Sequence, residues 1–205
     1  MHRGAAPPSP PMFETSRALG LLMLTFVLAA CGPGKPQFEG VDITGANYAH
    51  DFHLIDASGK PRSLADYRGK EVVLFFGYTQ CPDVCPTTMS DLKTVMQTLG
   101  PDADRVQVLF VTLDPERDKP ALLAQYVPAF DSRFVGLYAD EATTARTAKE
   151  FKVFYQRVPG PTPTSYTFDH TAGTYVFDTN GQIRLFLRQN QSASSIAHDL
   201  KQLLS

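Results

Sequence analysis

The run Glu71-Val72-Val73-Leu74-Phe75-Phe76 ends in Gly77 and leads within a few residues to two cysteines four apart, Cys81 and Cys85, each followed by a proline. A stretch this apolar, rich in β-branched and aromatic side chains, is a buried strand, and the pattern after it is helical. Strand, loop and helix in that order define an α/β unit. Both thiols fall in the loop that opens the helix, where backbone N–H groups favour thiolate over thiol. Such a place suits sulfur redox chemistry or a soft metal.

The rest of the chain continues the alternation. Phe52 to Ile55 is a strand before the turn Asp56 to Lys60, and Met89, Leu92, Val95, Met96 and Leu99 recur at helical spacing up to Gly100-Pro101. Val106 to Leu113 is a second buried strand, Lys119 to Phe130 a helix, Phe134 to Tyr138 a short strand and Glu141 to Phe151 a helix. Pro159 to Ser165 is a breaker-rich loop, of the kind that is often mobile. Thr174 to Phe177 and Gln182 to Leu187 flank Asn180-Gly181, a strong hairpin signal, and a helix from Ser192 to Leu204 closes the chain with Ile196, Leu200, Leu203 and Leu204 inward. This order predicts a thioredoxin-like α/β domain: a mixed central sheet, helices on both faces, and an N-terminal strand or hairpin extension.

Ahead of that domain lies a targeting segment. Arg17 precedes the apolar run Ala18 to Ala30, shorter than the ~20 residues a membrane-spanning helix needs. Leu28-Ala29-Ala30-Cys31-Gly32 resembles a bacterial lipobox, whose cysteine is lipidated and becomes the mature N-terminus. The expected division is a lipoprotein-type signal peptide at 1–30, a Pro/Gly tether at 31–40 and a folded domain at 41–205. Met1 to Pro11 is Pro-rich and unlike a basic leader, which makes Met12 an alternative start. The tether of about nine residues reaches roughly 30 Å. It holds the domain near a membrane surface outside the cytoplasm of a bacterial cell; Gly32 gives no clear signal for which membrane. A net charge of -2 with no basic stripe argues against nucleic acid as partner.

With Cys31 taken by the lipid, Cys81 and Cys85 are the only other cysteines, so the pair needs a local explanation. Four apart, they can converge from one turn onto a metal. A third element, Tyr166-Thr167-Phe168-Asp169-His170, offers an imidazole, although chain position alone leaves His170 an ordinary hydrogen-bonded histidine. Two thiolates and one imidazole are too few for a closed zinc site and suit copper, Cu(I) through the sulfurs and Cu(II) through mixed donors. Asp114-Pro115-Glu116-Arg117-Asp118 follows a buried strand, where α/β sites gather. Asp114, Asp118 and Asp169 are accessory candidates, and Asp118 could instead cap the next helix with Pro120 in its first turn. His50, His53 and His198 have no motif around them, and His2 leaves with the leader.

Taken together, Phe76 to Pro86, Asp114 to Asp118 and Asp169-His170 resemble the SCO/SenC family in order and approximate spacing, over nearly all of the mature domain. The resemblance implies a thioredoxin fold and copper held by Cys81, Cys85 and His170. It also implies a role in assembling the binuclear copper centre of cytochrome c oxidase subunit II, by delivering copper, reducing that subunit's cysteines, or both. Asp114 and Asp118 map onto a DxxxD pair that the family links less directly to copper. Gln80 departs from the basic residue often found before the first cysteine. The leading function is a membrane-tethered copper chaperone. The runner-up is a thiol-disulfide reductase using Cys81 and Cys85 as its redox pair, and a peroxide-reducing role is weaker still. The residues do not establish a turnover enzyme or an oligomeric state.

Overall fold

The elements, in chain order, are β1 (Val41–Asp42), β2 (Leu54–Asp56), β3 (Pro61–Arg62), β4 (Glu71–Gly77), α1 (Val84–Leu99), β5 (Val106–Thr112), α2 (Pro120–Tyr126), β6 (Val135–Tyr138), α3 (Glu141–Glu150), β7 (Tyr155–Pro159), β8 (Tyr166–His170), β9 (Gly173–Phe177), β10 (Ile183–Arg188) and α4 (Ala193–Leu204). The computed structural model describes residues 1, 2, 4, 36–162 and 165–205. Nearly all of the leader, Cys31 and half of the tether lie outside these described residues, and every element falls within Gln37–Ser205.

Every residue of β4 is buried, and the strand's period of two sends its side chains to two different cores. Val73 and Phe75 meet α1, α2 and α4, whereas Val72, Leu74 and Phe76 meet α3 and the N-terminal segment around Ala49 and Phe52. β4 pairs in parallel with β5 over its full length and antiparallel with β9; β5 pairs in parallel with β6. The sheet has eight strands in the order β1-β10-β9-β4-β5-β6-β2-β3. It is mixed, covered on both faces and extended at its edges by the N-terminal strand and hairpin, as the sequence predicts. The carboxyl ends of β4 and β5 therefore sit at mid-sheet, facing out of a rigid frame.

Packing, rather than propensity, holds α1. Its exposed side carries Thr87, Ser90, Thr94 and Thr98, which are weak helix formers at up to ~0.7 kcal/mol each. Three of these hydroxyls donate back along one stripe: Ser90 to the Pro86 carbonyl (2.8 Å), Thr94 to Ser90 (3.1 Å) and Thr98 to Thr94 (2.9 Å). Opposite them Met89, Leu92, Val95, Met96 and Leu99 are buried, at ~1.5–3 kcal/mol each, which outweighs the propensity deficit.

Three expectations shift. The helix expected over 119–130 spans only Pro120–Tyr126, because Pro128 cannot continue it and the chain turns with Phe130 N–H donating to the Val127 carbonyl (3.3 Å). The Asn180-Gly181 turn is longer than a two-residue loop: Gly181 alone takes positive φ (+65°), and the Asp178 carboxylate accepts from the Asn180 and Gln182 amides. Residues 155–158, given no element from the sequence, form a strand with Pro159, the first residue of the expected loop, and pair antiparallel with the 166–170 motif as a separate two-stranded ribbon.

Candidate metal centre

Gly77 ends β4 directly beneath the second cysteine. A Cβ there would meet Cys85 Sγ at 2.9 Å, Phe75 Cε1 at 2.9 Å and Phe110 Cε2 at 3.0 Å, so only hydrogen fits. The loop then turns, with Cys81 N–H donating to the Tyr78 carbonyl (3.3 Å). Cys85 enters the first turn of α1 fully buried, while Cys81 stays half-exposed; both thiols are free. A Gly77→Ala variant is expected to lose ~1–3 kcal/mol of stability through overpacking and to weaken metal uptake by displacing Sγ. Denaturant unfolding beside a Cu(I) competition titration checks both, and wild-type values in each would contradict this packing.

His170 arrives from the ribbon. It pairs with Tyr155 at the ribbon's base, and alternation along β8 turns Tyr166, Phe168 and His170 toward the body and leaves Thr167 and Asp169 exposed. His170 Nδ1 lies 3.0 Å from the Thr171 carbonyl, which can only accept, so Nδ1 carries the proton and Nε2 keeps its lone pair. Nε2 stands 3.8 Å from Cys85 Sγ, and the rings of Phe75 and Tyr78 meet the imidazole edge-on. The two sulfurs and one ring nitrogen lie within 4.8 Å of one another, close to what an ion with ~2.0–2.3 Å bonds spans between its donors. A cleft of 440 Å³, lined in part by Cys81, Val84, Phe168 and His170, gives access to the cluster.

Burial sets the charge state. It lowers the His170 pKa below the ordinary 6.5, against the opposing hydrogen bond to Thr171, so the imidazole is neutral at pH 7. It also pushes the Cys85 thiol well up. The helix-start argument for thiolate is thus overridden at Cys85, whose amide N–H instead donates to Cys81 Sγ (3.4 Å). An incoming metal must displace the Cys85 proton, so uptake tightens with rising pH.

The acidic loop lies alongside and anchors rather than joins the cluster. Asp118, buried and with its pKa raised by that burial, accepts from Thr79 N–H (2.9 Å), Thr79 Oγ1 (2.5 Å) and Thr112 Oγ1 (2.6 Å), which pins the loop leading to Cys81. Lys119, not Asp118, is the N-cap of α2, although Pro120 does open the helix. Asp114 pairs with Arg117 Nε and accepts from the Tyr166 hydroxyl (2.9 Å). Arg117 also donates to the Gln80 side-chain oxygen (3.2 Å), which gives the unusual Gln80 a partner. Among the described residues the group of donors close enough together to hold a metal ion is Cys81, Cys85 and His170; Asp114, Asp118 and Asp169 stand outside it. His50, His53 and His198 are exposed and are not part of it. The sequence reading passed over Gly77, Tyr78, Arg117 and Tyr166. Tyr166 and Phe168 at alternate positions before His170 were the signal available for the ribbon.

The profile of the family described as SCO1/SenC matches residues 41–205. The mitochondrial protein SCO2 homolog of Mus musculus is 35% identical over 153 residues, covering 74% of this chain and 60% of its own length. An SCO2-like protein of Rickettsia felis is 32% identical over 189 residues, covering 91% of this chain and 92% of its own. The chain thus spans under two thirds of the mouse relative and nearly all of the rickettsial one. Among solved structures, Bradyrhizobium japonicum ScoI with copper bound superposes with a TM-score of 0.69 at 37% identity, over 75% of this chain and 97% of that one.

Proposed function

The chain belongs to the SCO1/SenC family, and from that premise we propose that it is a copper chaperone, membrane-tethered, that serves assembly of the binuclear copper centre of cytochrome c oxidase subunit II. One observation carries the reading: two free thiols and a neutral imidazole nitrogen converge within 4.8 Å, with Cys81 and His170 lining a cleft. The donor set is soft enough for Cu(I) and mixed enough for Cu(II). ScoI of Bradyrhizobium japonicum, a copper-bound structure, supports the choice of copper as cargo.

The three donors divide the work. Cys85, buried on the frame, is the fixed sulfur; half-exposed Cys81 faces the cleft, where an acceptor thiolate can compete for the metal; His170 comes from the separate ribbon. Asp114 and Asp118 act through the residues they hold. The N-terminal parts of the proposal are a signal peptide at 1–30, lipidation at Cys31, a tether at 31–40 and a domain at 41–205 outside the cytoplasm. No helix among the described residues is long and apolar enough to cross a membrane.

Metal analysis of the reduced wild type beside single variants of Cys81, Cys85 and His170, loaded with Cu(I) and with Cu(II), tests the reading. The wild type is expected to bind copper stoichiometrically, and failure to do so overturns the proposal. His170→Ala is expected to lose at least ~100-fold in Cu(II) affinity, beyond the ~10–100-fold of an outer-shell partner, while two thiolates keep Cu(I). Equal losses for both ions would contradict the assignment of His170. Reduction of the acceptor's cysteines is the second reading, favoured by the free, adjacent Cys81 and Cys85. There the dithiol passes two electrons to a partner disulfide and itself becomes a disulfide. A His170→Ala chain that keeps full activity in cells would select it.

A further inference from the structure

The ribbon that carries His170 has no strand of the main sheet beside it, and a two-stranded hairpin is marginal on its own. Its base is tied where Thr171 N–H donates to the Phe154 carbonyl (2.8 Å) and Phe154 N–H to Thr171 Oγ1 (3.1 Å). Farther along, β8 needs another hold. Phe168 N–H donates to the Tyr78 hydroxyl (3.2 Å), and the Tyr166 carbonyl accepts from Arg117 Nη1 (2.9 Å). Tyr166 is buried, and two guanidinium groups lie over its ring, Arg117 at 3.5 Å and Arg157 at 3.4 Å from the centroid. Two such groups cannot share one face, so the ring is clamped between them. Arg117 belongs to the acidic loop, paired with Asp114; Arg157 belongs to β7 and reaches Glu116 of the same loop (3.3 Å).

We propose that Arg117 is a positioning residue for His170: through Tyr166 it latches the ribbon to the acidic loop, and opening of this latch is what withdraws the imidazole from bound copper. The inference rests on the copper-chaperone reading for its last step only. Closed, the latch holds Nε2 facing Cys85. Open, it leaves the metal on two sulfurs and exposed to an acceptor, with no change in the loop and helix that carry them or in the sheet beneath. Lysine at 117 would keep the charge but not the planar stack or the fork that binds Asp114 and the Tyr166 carbonyl together.

The test uses the full chain, first without metal. Amide exchange at Phe168 is expected to quicken about tenfold in Arg117→Lys and in Tyr166→Leu, the scale of one lost cation–π contact. Tyr166→Phe, which keeps the ring, is expected to stay within about threefold of wild type. Amides of β4 and β5 should not change in any variant. Arg157→Gln, at an exposed site that does not threaten the fold, is expected to move Phe168 exchange a few-fold the same way. The same order should then appear in the rate of Cu(II) loss and in the bleaching of its thiolate-to-copper absorption, with Cu(I) retained. Unchanged Phe168 exchange in the folded variants, Arg157→Gln included, overturns the latch whether or not copper binds. Faster exchange with Cu(II) loss unaltered overturns the link to His170. A wild type that binds no copper overturns the chaperone reading and leaves the exchange result standing.

Discussion

Cys85→Ser is expected to lower Cu(I) affinity by at least ~100-fold, beyond the ~10–100-fold that loss of an outer-shell partner produces. The reason is donor chemistry. A serine hydroxyl does not ionise near neutral pH and offers a hard oxygen where Cu(I) prefers sulfur, leaving one thiolate and one imidazole. The change is nearly isosteric at a fully buried site, with the Gly77 backbone directly beneath the sulfur. The new buried hydroxyl is expected to reduce stability by ~1–3 kcal/mol if unpaired, which leaves the domain folded. Competition with a chromophoric Cu(I) chelator measures the affinity, and wild-type binding by the serine variant would remove Cys85 from the donor set. The matching serine variant at half-exposed Cys81 is expected to lose Cu(I) as strongly with less effect on stability.

Glu71→Gln is expected to make the protein more stable above neutral pH and to remove most of its loss of stability between pH 5 and 9. Glu71 opens β4 at the end of the sheet opposite the cysteines, fully buried, and neither carboxylate oxygen has a hydrogen-bond partner among the described residues. Burial pushes its pKa from the usual 4.5 up to about 8; Arg105 and Arg184 pull it down and Asp178 adds to the rise. The folded state therefore holds a proton that the unfolded chain has released. The stabilisation from that proton is complete below about 4.5 and is lost as pH rises through about 8. Burying one unpartnered carboxylate places the effect at ~3 kcal/mol. For a domain of this size that is roughly 6–12 °C in Tm. Thermal unfolding of both proteins across this range is the measurement, and parallel curves would mean that a partner satisfies Glu71 in solution.

The parts of this fold that were legible in the sequence are those whose side-chain pattern is their own. β4 and β5 are continuous apolar runs, and α1 repeats Met89, Leu92, Val95, Met96 and Leu99 on one face, so each declares its type without reference to a partner. The thiol pair was legible for the same reason, being local. β7 was not. Tyr-Gln-Arg-Val-Pro has no buried residue, and it is a strand because β8 lies beside it. His170 was singled out through the family resemblance, but that it rides on a ribbon follows from β7 pairing with β8, and the tie from that ribbon to the acidic loop joins Arg117 and Tyr166, 49 residues apart. The roles of Asp114 and Asp118 were equally hidden. A carboxylate in a loop at a strand's carboxyl end suggests a ligand, and only the positions of Thr79, Thr112 and Tyr166 reveal what each one holds.

The place of β9 between β10 and β4 has a bearing on proteolysis. A protease that nicks the backbone at residues 160–162, just past the Pro159–Tyr166 pair that ends the ribbon, crosses no strand of the central sheet. The distal fragment retains β9, β10 and α4, wedged into the middle of the parent and sealed under α1, so the halves should stay associated under native conditions and part only in denaturant. A clipped preparation would migrate as one species on gel filtration and as two on a denaturing gel.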